Sequence, residues 1–134
     1  MFAQTAACVL IADRQSGLYE RIRGLLETTF REVFLVTDKS SLIEGAGKLQ
    51  PMIIIMDLSY AAGDLPQLIG ELRGHAPAAK LLFLSLHEES TVVAAAIAAG
   101  ADGLVLKRAI GSDLLPAVDA LLGGRRYFDS SAVH

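Results

Sequence analysis

The sequence predicts an α/β fold built on a doubly wound parallel sheet with helices on both faces. Residues 52–56 (Met-Ile-Ile-Ile-Met) form an unbroken apolar run, which is typical of a strand buried on both faces of a sheet. Shorter apolar runs occur at residues 9–12, 80–84 and 104–106. Segments with helical spacing of apolar residues separate these runs, and such alternation favours right-handed crossovers between parallel strands.

The first half of the chain predicts two strand–helix units. A strand at residues 9–12 precedes a helix over residues 18–30. A short second strand at residues 32–36 precedes a second helix, which ends at Leu49 because Pro51 cannot continue it. The apolar positions of the first helix have the spacing of one buried helical face: Leu18, Ile22, Leu25 and Leu26.

The second half predicts three further units. After the central strand, Pro66 fits the first turn of a third helix. The fourth helix follows the strand at residues 80–84 and ends at Gly100, and the fifth covers residues 112–122 and ends at a glycine pair. Five strands and five helices in this alternation favour the flavodoxin-like (βα)5 arrangement with strand order 2-1-3-4-5.

Composition narrows the class of protein. The chain has 134 residues, of which 52% are hydrophobic and 20% charged, and this fits one compact domain. No apolar stretch approaches the ~20 residues of a membrane helix, and the amino terminus lacks a basic leader, so we expect a cytoplasmic protein with no membrane partner. A net charge of -3 argues against direct binding of nucleic acid. The single cysteine, Cys8, is expected to be a buried reduced thiol.

Polar residues follow four of the predicted strands. Asp13 comes directly after the first strand, Asp57 after the third, Ser85 after the fourth and Lys107 after the fifth. The carboxyl ends of parallel strands meet at one edge of the sheet, where open α/β sheets bind ligands. We therefore expect two carboxylates, a hydroxyl and an ammonium group to meet in one pocket.

Four stretches around these residues carry a family resemblance. They are residues 9–13 (Val-Leu-Ile-Ala-Asp), 56–59 (Met-Asp-Leu-Ser), 84–87 (Leu-Ser-Leu-His) and 99–107 (Ala-Gly-Ala-Asp-Gly to Lys). Taken in order, they resemble the CheY-like receiver domain of two-component response regulators. Residues 123–128 (Gly-Gly-Arg-Arg-Tyr-Phe) resemble the receiver end of the NarL/LuxR subgroup. There, a linker and a helix-turn-helix DNA-binding domain usually follow, so we expect a receiver over residues 1–124 and the start of a linker to an output domain over residues 125–134.

The resemblance implies a role for each strand-end residue. In this family the aspartate after the third strand accepts a phosphoryl group from a histidine of a partner kinase, and that position is Asp57. Lys107 would pair with the phosphoryl oxygens, and Ser85 would donate its hydroxyl to them. His87 could orient a hydrolytic water. The domain would regulate a transcriptional output and would be no enzyme beyond its own phosphorylation and dephosphorylation.

The chain departs from the family beside Asp13, where Arg14 stands in place of a second acid. The resemblance implies a Mg²⁺ site formed by Asp13, Asp57 and the backbone carbonyl of Ser59. With Arg14 and Lys107 the site sums to zero charge, so we expect Mg²⁺ binding to be weak or absent. We expect Arg14 to take the place of the metal by pairing with Asp57. The alternative is that its side chain points to water and Mg²⁺ still binds.

Other functions stay open at this stage. The main rival is a phosphate-independent pseudo-receiver that acts as a protein-interaction or dimerisation domain. A haloacid-dehalogenase-like enzyme with Asp57 as its nucleophile would need an acid at the position of Ser59. A flavodoxin-like FMN carrier would need a Ser/Thr-rich loop at residues 13–17. The expected partners are a histidine kinase and, weakly, a second copy of the chain, with DNA contacted only through an output domain.

Overall fold

The computed structural model describes residues 6–14, 16–86 and 89–128 of the chain. Strands and helices alternate along these residues. The strands are β1 (Ala6–Ala12), β2 (Phe30–Val36), β3 (Ile53–Asp57), β4 (Lys80–Ser85), β5 (Gly103–Leu106) and β6 (Tyr127–Phe128). The helices are α1 (Ser16–Leu26), α2 (Lys39–Leu49), α3 (Leu65–His75), α4 (Ser90–Ala99) and α5 (Ile110–Leu122).

The strands form one parallel sheet in the order β2-β1-β3-β4-β5-β6. The predicted order 2-1-3-4-5 is therefore confirmed. Alternate residues of β3 point into different cores: Ile54 and Met56 pack with α2, α3 and α4, whereas Ile53 and Ile55 pack with α1 and α5. This arrangement explains why the central strand has no polar face before Asp57.

The sixth strand lies where the sequence predicted a linker. Tyr127 pairs with Gly103, and its backbone N–H donates to the carbonyl of Asp102 at 3.0 Å. A Cβ atom at position 103 would lie 2.9 Å from the Tyr127 carbonyl oxygen, so a glycine here lets β6 approach β5. The boundary predicted at Gly124 thus excludes two residues that belong to the sheet. The two-residue strand is too short to give any periodic signal.

The first helix is shorter than the sequence predicted. It ends at Leu26, and Phe30, the last residue of the predicted helix, instead begins β2 and is buried. The Thr28 hydroxyl donates to the Leu25 carbonyl at 2.6 Å, and the Thr29 N–H donates to Leu26. Two β-branched residues and these turn hydrogen bonds end the helix before the predicted position.

Two further observations concern the class of protein. No helix among the described residues is both long enough and apolar enough to span a bilayer. Cys8 is buried in β1, and its thiol contacts the Leu49 carbonyl at 3.9 Å. Burial, with a contribution from Glu32, raises the pKa of this thiol, which confirms the prediction of a buried cysteine.

Candidate functional site

The carboxyl edge of the sheet brings the strand-end residues together. β3 and β4 pair so that Asp57 lies opposite Leu84, which places Ser85 one residue beyond it. Asp13 directly follows β1 and Lys107 directly follows β5, on either side of this central pair. The four strand-end residues therefore lie at one edge of the sheet, but the single pocket expected for them is divided into two cavities.

Two cavities lie at this edge and share Asp57 and Ser59. The first is about 250 Å³ and the second about 290 Å³. The first is lined by Asp13, Arg14, Asp57, Ser59, Tyr60 and Lys107. The second is lined by Asp57, Leu58, Ser59, Ser85 and Leu86. The Asp57 carboxylate thus lies between a charged cavity and one that is lined by Ser85.

Asp57 is held by two donors. Its Oδ2 forms an ion pair with Lys107 Nζ, and its Oδ1 accepts the Ser59 backbone N–H at 2.7 Å. The two side chains of the ion pair are only 22% and 15% exposed. Burial raises the pKa of the Asp57 carboxyl, but the hydrogen bonds from Lys107 and Ser59 together hold that pKa below its ordinary value. Asp57 is therefore an anionic carboxylate at neutral pH.

Asp13 also has a structural partner. It is 3% exposed, and its Oδ2 accepts the Tyr19 backbone N–H at 3.0 Å. Tyr19 lies in the first turn of α1, where backbone N–H groups lack partners within the helix. A carboxylate at this end of a helix also interacts favourably with the helix dipole. Asp13 thus joins the site to the start of α1.

Arg14 does not occupy the expected position. Among the ion pairs of the described residues, Asp57 has Lys107 as its partner, so the expected pairing with Arg14 is wrong. The Arg14 guanidinium instead lies 4.2 Å from the centroid of the Tyr60 ring. A planar, weakly hydrated guanidinium favours an aromatic face. Arg14 is exposed, as the alternative of a side chain in water predicted, but it also contacts the Tyr60 ring.

Tyr60 is the site residue that the sequence analysis missed. It lies in a 3-10 turn, Leu58–Ala61, and is 1% exposed. Its hydroxyl donates to the carbonyl of Thr37 at 2.6 Å, and burial raises the pKa of its phenol, so it remains neutral. A large aromatic residue three positions after Asp57, in the loop that follows the central strand, was the available signal.

The predicted metal ligands do not fit a divalent cation well. Both Asp57 oxygens accept hydrogen bonds or ion pairs, and the Ser59 carbonyl accepts the Ala62 N–H at 3.1 Å. Arg14 and Lys107 line the same cavity as the two carboxylates. Mg²⁺ requires near-octahedral oxygen ligands and negative charge. In the described part of the chain, no group of three or more His, Cys, Asp and Glu residues could hold a metal ion.

Two predicted site residues remain, Ser85 and His87. Ser85 is 2% exposed at the end of β4 and lines the second cavity beside Asp57. His87 lies outside the described residues.

Comparison with known proteins assigns the family. Residues 9–119 match the response regulator receiver domain. The chain belongs to this family. It is 29% identical over 128 residues to the transcriptional regulatory protein RcsB of Escherichia coli strain K12, covering 92% of this chain and 59% of RcsB. It is 26% identical over 126 residues to the transcriptional regulatory protein MctR of Rhizobium johnstonii, covering 91% of this chain and 58% of MctR.

A solved structure supports the same assignment. The non-phosphorylated receiver domain of the stress response regulator RcsB from Escherichia coli superimposes with a TM-score of 0.79 at 28% identity. The match covers 94% of this chain and 100% of that domain. The predicted resemblance to LuxR-type receivers is confirmed. The chain spans just under three fifths of the two curated relatives, 58% and 59% of their lengths.

Proposed function

We propose that this domain accepts a phosphoryl group on Asp57 from a histidine kinase and thereby regulates a transcriptional output. The observation that carries the proposal is the anionic Asp57 carboxylate, paired with Lys107 and next to Ser85 in a chain of the receiver family. A carboxylate in such a cavity is a competent nucleophile because phosphoryl transfer depends mainly on positioning and on neutralising charge.

The proposed reaction uses groups already at the sheet edge. An Asp57 oxygen forms a bond to phosphorus as the bond from phosphorus to the kinase histidine nitrogen breaks, and that nitrogen keeps the electron pair. The Lys107 ammonium then shifts from the carboxylate to the phosphoryl oxygens. The Ser85 hydroxyl donates a hydrogen bond to another phosphoryl oxygen. Ser85 is nearly fully buried at the end of β4, so its side chain has little room to turn toward the phosphoryl group by itself. We therefore expect the end of β4 to move when this bond forms.

Receiver domains commonly bind Mg²⁺ at this site. We propose weak binding here, because the Ser59 carbonyl is hydrogen bonded within its turn and two cations line the cavity. Addition of MgCl₂ to the isotopically labelled protein, followed by NMR, tests this. Small, non-saturating shifts near Asp57 are expected, and saturation at low Mg²⁺ would contradict the proposal.

The longer relatives support a role within a larger regulator. MctR and RcsB are transcriptional regulatory proteins, and the chain matches the whole receiver domain of RcsB. We propose that the natural protein acts in the cytoplasm and contacts DNA through an output domain. We also propose weak homodimerisation through α4, whose exposed Thr91, Ala94, Ala95 and Ala98 carry no charge. Sedimentation of the domain at rising concentration measures this association.

Intact mass after incubation with acetyl phosphate tests the central proposal. We expect an added mass of about 80 Da in the wild-type protein, which is the mass of one phosphoryl group. Asp57→Asn should lack the adduct. Asp64→Asn is the matched control, because this exposed carboxylate caps α3 and lines neither of the two cavities, and asparagine also caps helices well. No adduct on the wild-type protein would favour the phosphate-independent interaction domain instead.

A further inference from the structure

The charged cavity at the sheet edge contains as many cations as carboxylates. Asp13 and Asp57 contribute two negative charges, and Arg14 and Lys107 contribute two positive charges. An incoming phosphoryl group adds further negative charge, ~1.5 to 2 units at neutral pH. Lys107 alone cannot offset both this charge and the carboxylates. Arg14, the second cation in the cavity, can therefore offset part of the negative charge that the phosphoryl group adds.

Tyr60 gives that cation a defined position. The Arg14 guanidinium lies 4.2 Å from the centroid of the Tyr60 ring, and the ring is fixed by burial and by the hydrogen bond to Thr37. Tyr60 belongs to the same turn as Ser59, whose N–H binds Asp57. The turn thus connects Tyr60 to Asp57 through only two intervening residues, Leu58 and Ser59.

A guanidinium on such a platform suits a phosphoryl group. Its planar fork of N–H donors matches phosphate oxygens in pairs, and it stays charged at all working pH values. Stacking on the ring also reduces the side-chain freedom that a surface arginine would lose on binding an anion. The site therefore offers what a divalent cation normally supplies, using the chain's own residues.

We propose that Arg14, positioned by Tyr60, binds the phosphoryl oxygens and makes phosphorylation of Asp57 independent of a divalent cation. The inference rests on the function proposed above. With acetyl phosphate, an Asp57 oxygen bonds to phosphorus, the bond from phosphorus to the bridging oxygen breaks, and acetate leaves with the electron pair. Arg14 and Lys107 only donate hydrogen bonds, so no proton is transferred. Arg14 is a catalytic residue in this step, and Tyr60 is a positioning residue.

The decisive experiment compares the rates at which the adduct of about 80 Da forms in excess EDTA and in a high concentration of MgCl₂. The wild-type rates should be equal. Arg14→Asp, which restores a second acid beside Asp13, should be slower in EDTA by about 10² to 10³-fold, the usual effect of losing one transition-state donor. Addition of MgCl₂ should recover its rate. Lys48→Glu makes the same change in net charge on an exposed part of α2 and should behave as wild type.

Tyr60 variants separate positioning from folding. Tyr60→Phe keeps the ring under Arg14 and should remain independent of Mg²⁺. Tyr60→Leu removes the ring and should slow the reaction in EDTA more than in MgCl₂. A purely structural role would slow both reactions equally, so the ratio of the two rates is the informative quantity. An equal loss in both conditions would overturn the role given to Tyr60.

The outcomes distinguish this inference from the function on which it rests. Wild-type labelling that requires MgCl₂ would overturn the metal independence and leave Asp57 as the phosphoacceptor. An EDTA rate unchanged in Arg14→Asp would overturn the role of Arg14. Absence of labelling in wild type and in Arg14→Asp, with and without MgCl₂, would overturn the proposed function itself.

Discussion

The two sides of the site differ in how they are built. One side, here called the lysine corner, consists of Asp57, Ser85 and Lys107, which all stand at the ends of neighbouring strands. The other, here called the arginine corner, consists of Asp13, Arg14 and Tyr60, of which the last two lie in loops or turns beyond the strand ends. The sheet places the three residues of the first corner, whereas in the second the position of the Arg14 guanidinium depends on a stacked ring.

The difference shows which parts of a site a fold determines. Strand order and register determine which residues stand side by side at the lysine corner, because each of them lies at or next to the end of a paired strand. The charge of the arginine corner depends instead on one residue, Arg14, which stands where the family has an acid. The position of that charge depends on the Tyr60 ring. A receiver can therefore keep the carboxylate after its third strand while the charges that neutralise the cavity change.

We expect the largest effect, on the free energy of unfolding, when the Tyr60 ring of the arginine corner is removed. Tyr60→Ala should lower the free energy of unfolding by about 3–5 kcal/mol, because it leaves a cavity in place of a buried aromatic side chain. Tyr60→Phe loses only the hydrogen bond to Thr37, worth about 0.5–1.5 kcal/mol. Urea denaturation of both variants measures the difference. Equal losses would mean that the ring is not packed as described.

The lysine corner should control rate. Lys107→Ala should reduce the rate of Asp57 labelling by acetyl phosphate by about 10² to 10³-fold, because in the proposed reaction the Lys107 ammonium stabilises the transferred group. Lys48→Ala removes an equal charge from an exposed position on α2 and serves as the control. A rate for Lys107→Ala within a few-fold of the control would count against the assigned role.

The ion pair of the lysine corner should also make stability depend on pH. The folded pKa of Asp57 lies below its ordinary value of about 3.9, so the unfolded chain takes up the proton first as the pH falls. The stabilisation is complete above the ordinary value and is lost as the pH falls through the folded pKa. Asp57→Asn should flatten this part of the curve of unfolding free energy against pH. Parallel curves for the two proteins would argue against it.

The smallest effect concerns Arg14 and folding. Arg14→Ala should change the free energy of unfolding by only about 0.5–1 kcal/mol, the value of an exposed cation–π contact. Arg31→Ala, at an exposed position near the start of β2, gives the background for losing a surface arginine. A loss of several kcal/mol at Arg14 would show that it supports the fold and would remove the contrast between the two corners.

The sequence predicted the lysine corner because its positions follow from strand order. Apolar runs identify buried strands, and parallel order brings their ends to one edge. The arginine corner was only partly predictable. Arg14 was recognised, but an arginine side chain has many rotamers, and its partner depends on the turn that carries Tyr60. That turn ends with Ala62 at a φ of 50°, a left-handed conformation that no local propensity of alanine predicts.

The glycine at the start of β5 lets a sixth strand join the sheet. A single methyl group at position 103 would collide with both the backbone of Tyr127 and the Leu82 side chain, each at 2.9 Å. A residue with a side chain at position 103 would therefore prevent β6 from pairing with β5 unless the backbone shifted. In homologous receivers, the residue at this one position should therefore indicate whether the polypeptide after the last helix can join the sheet or must turn away from it.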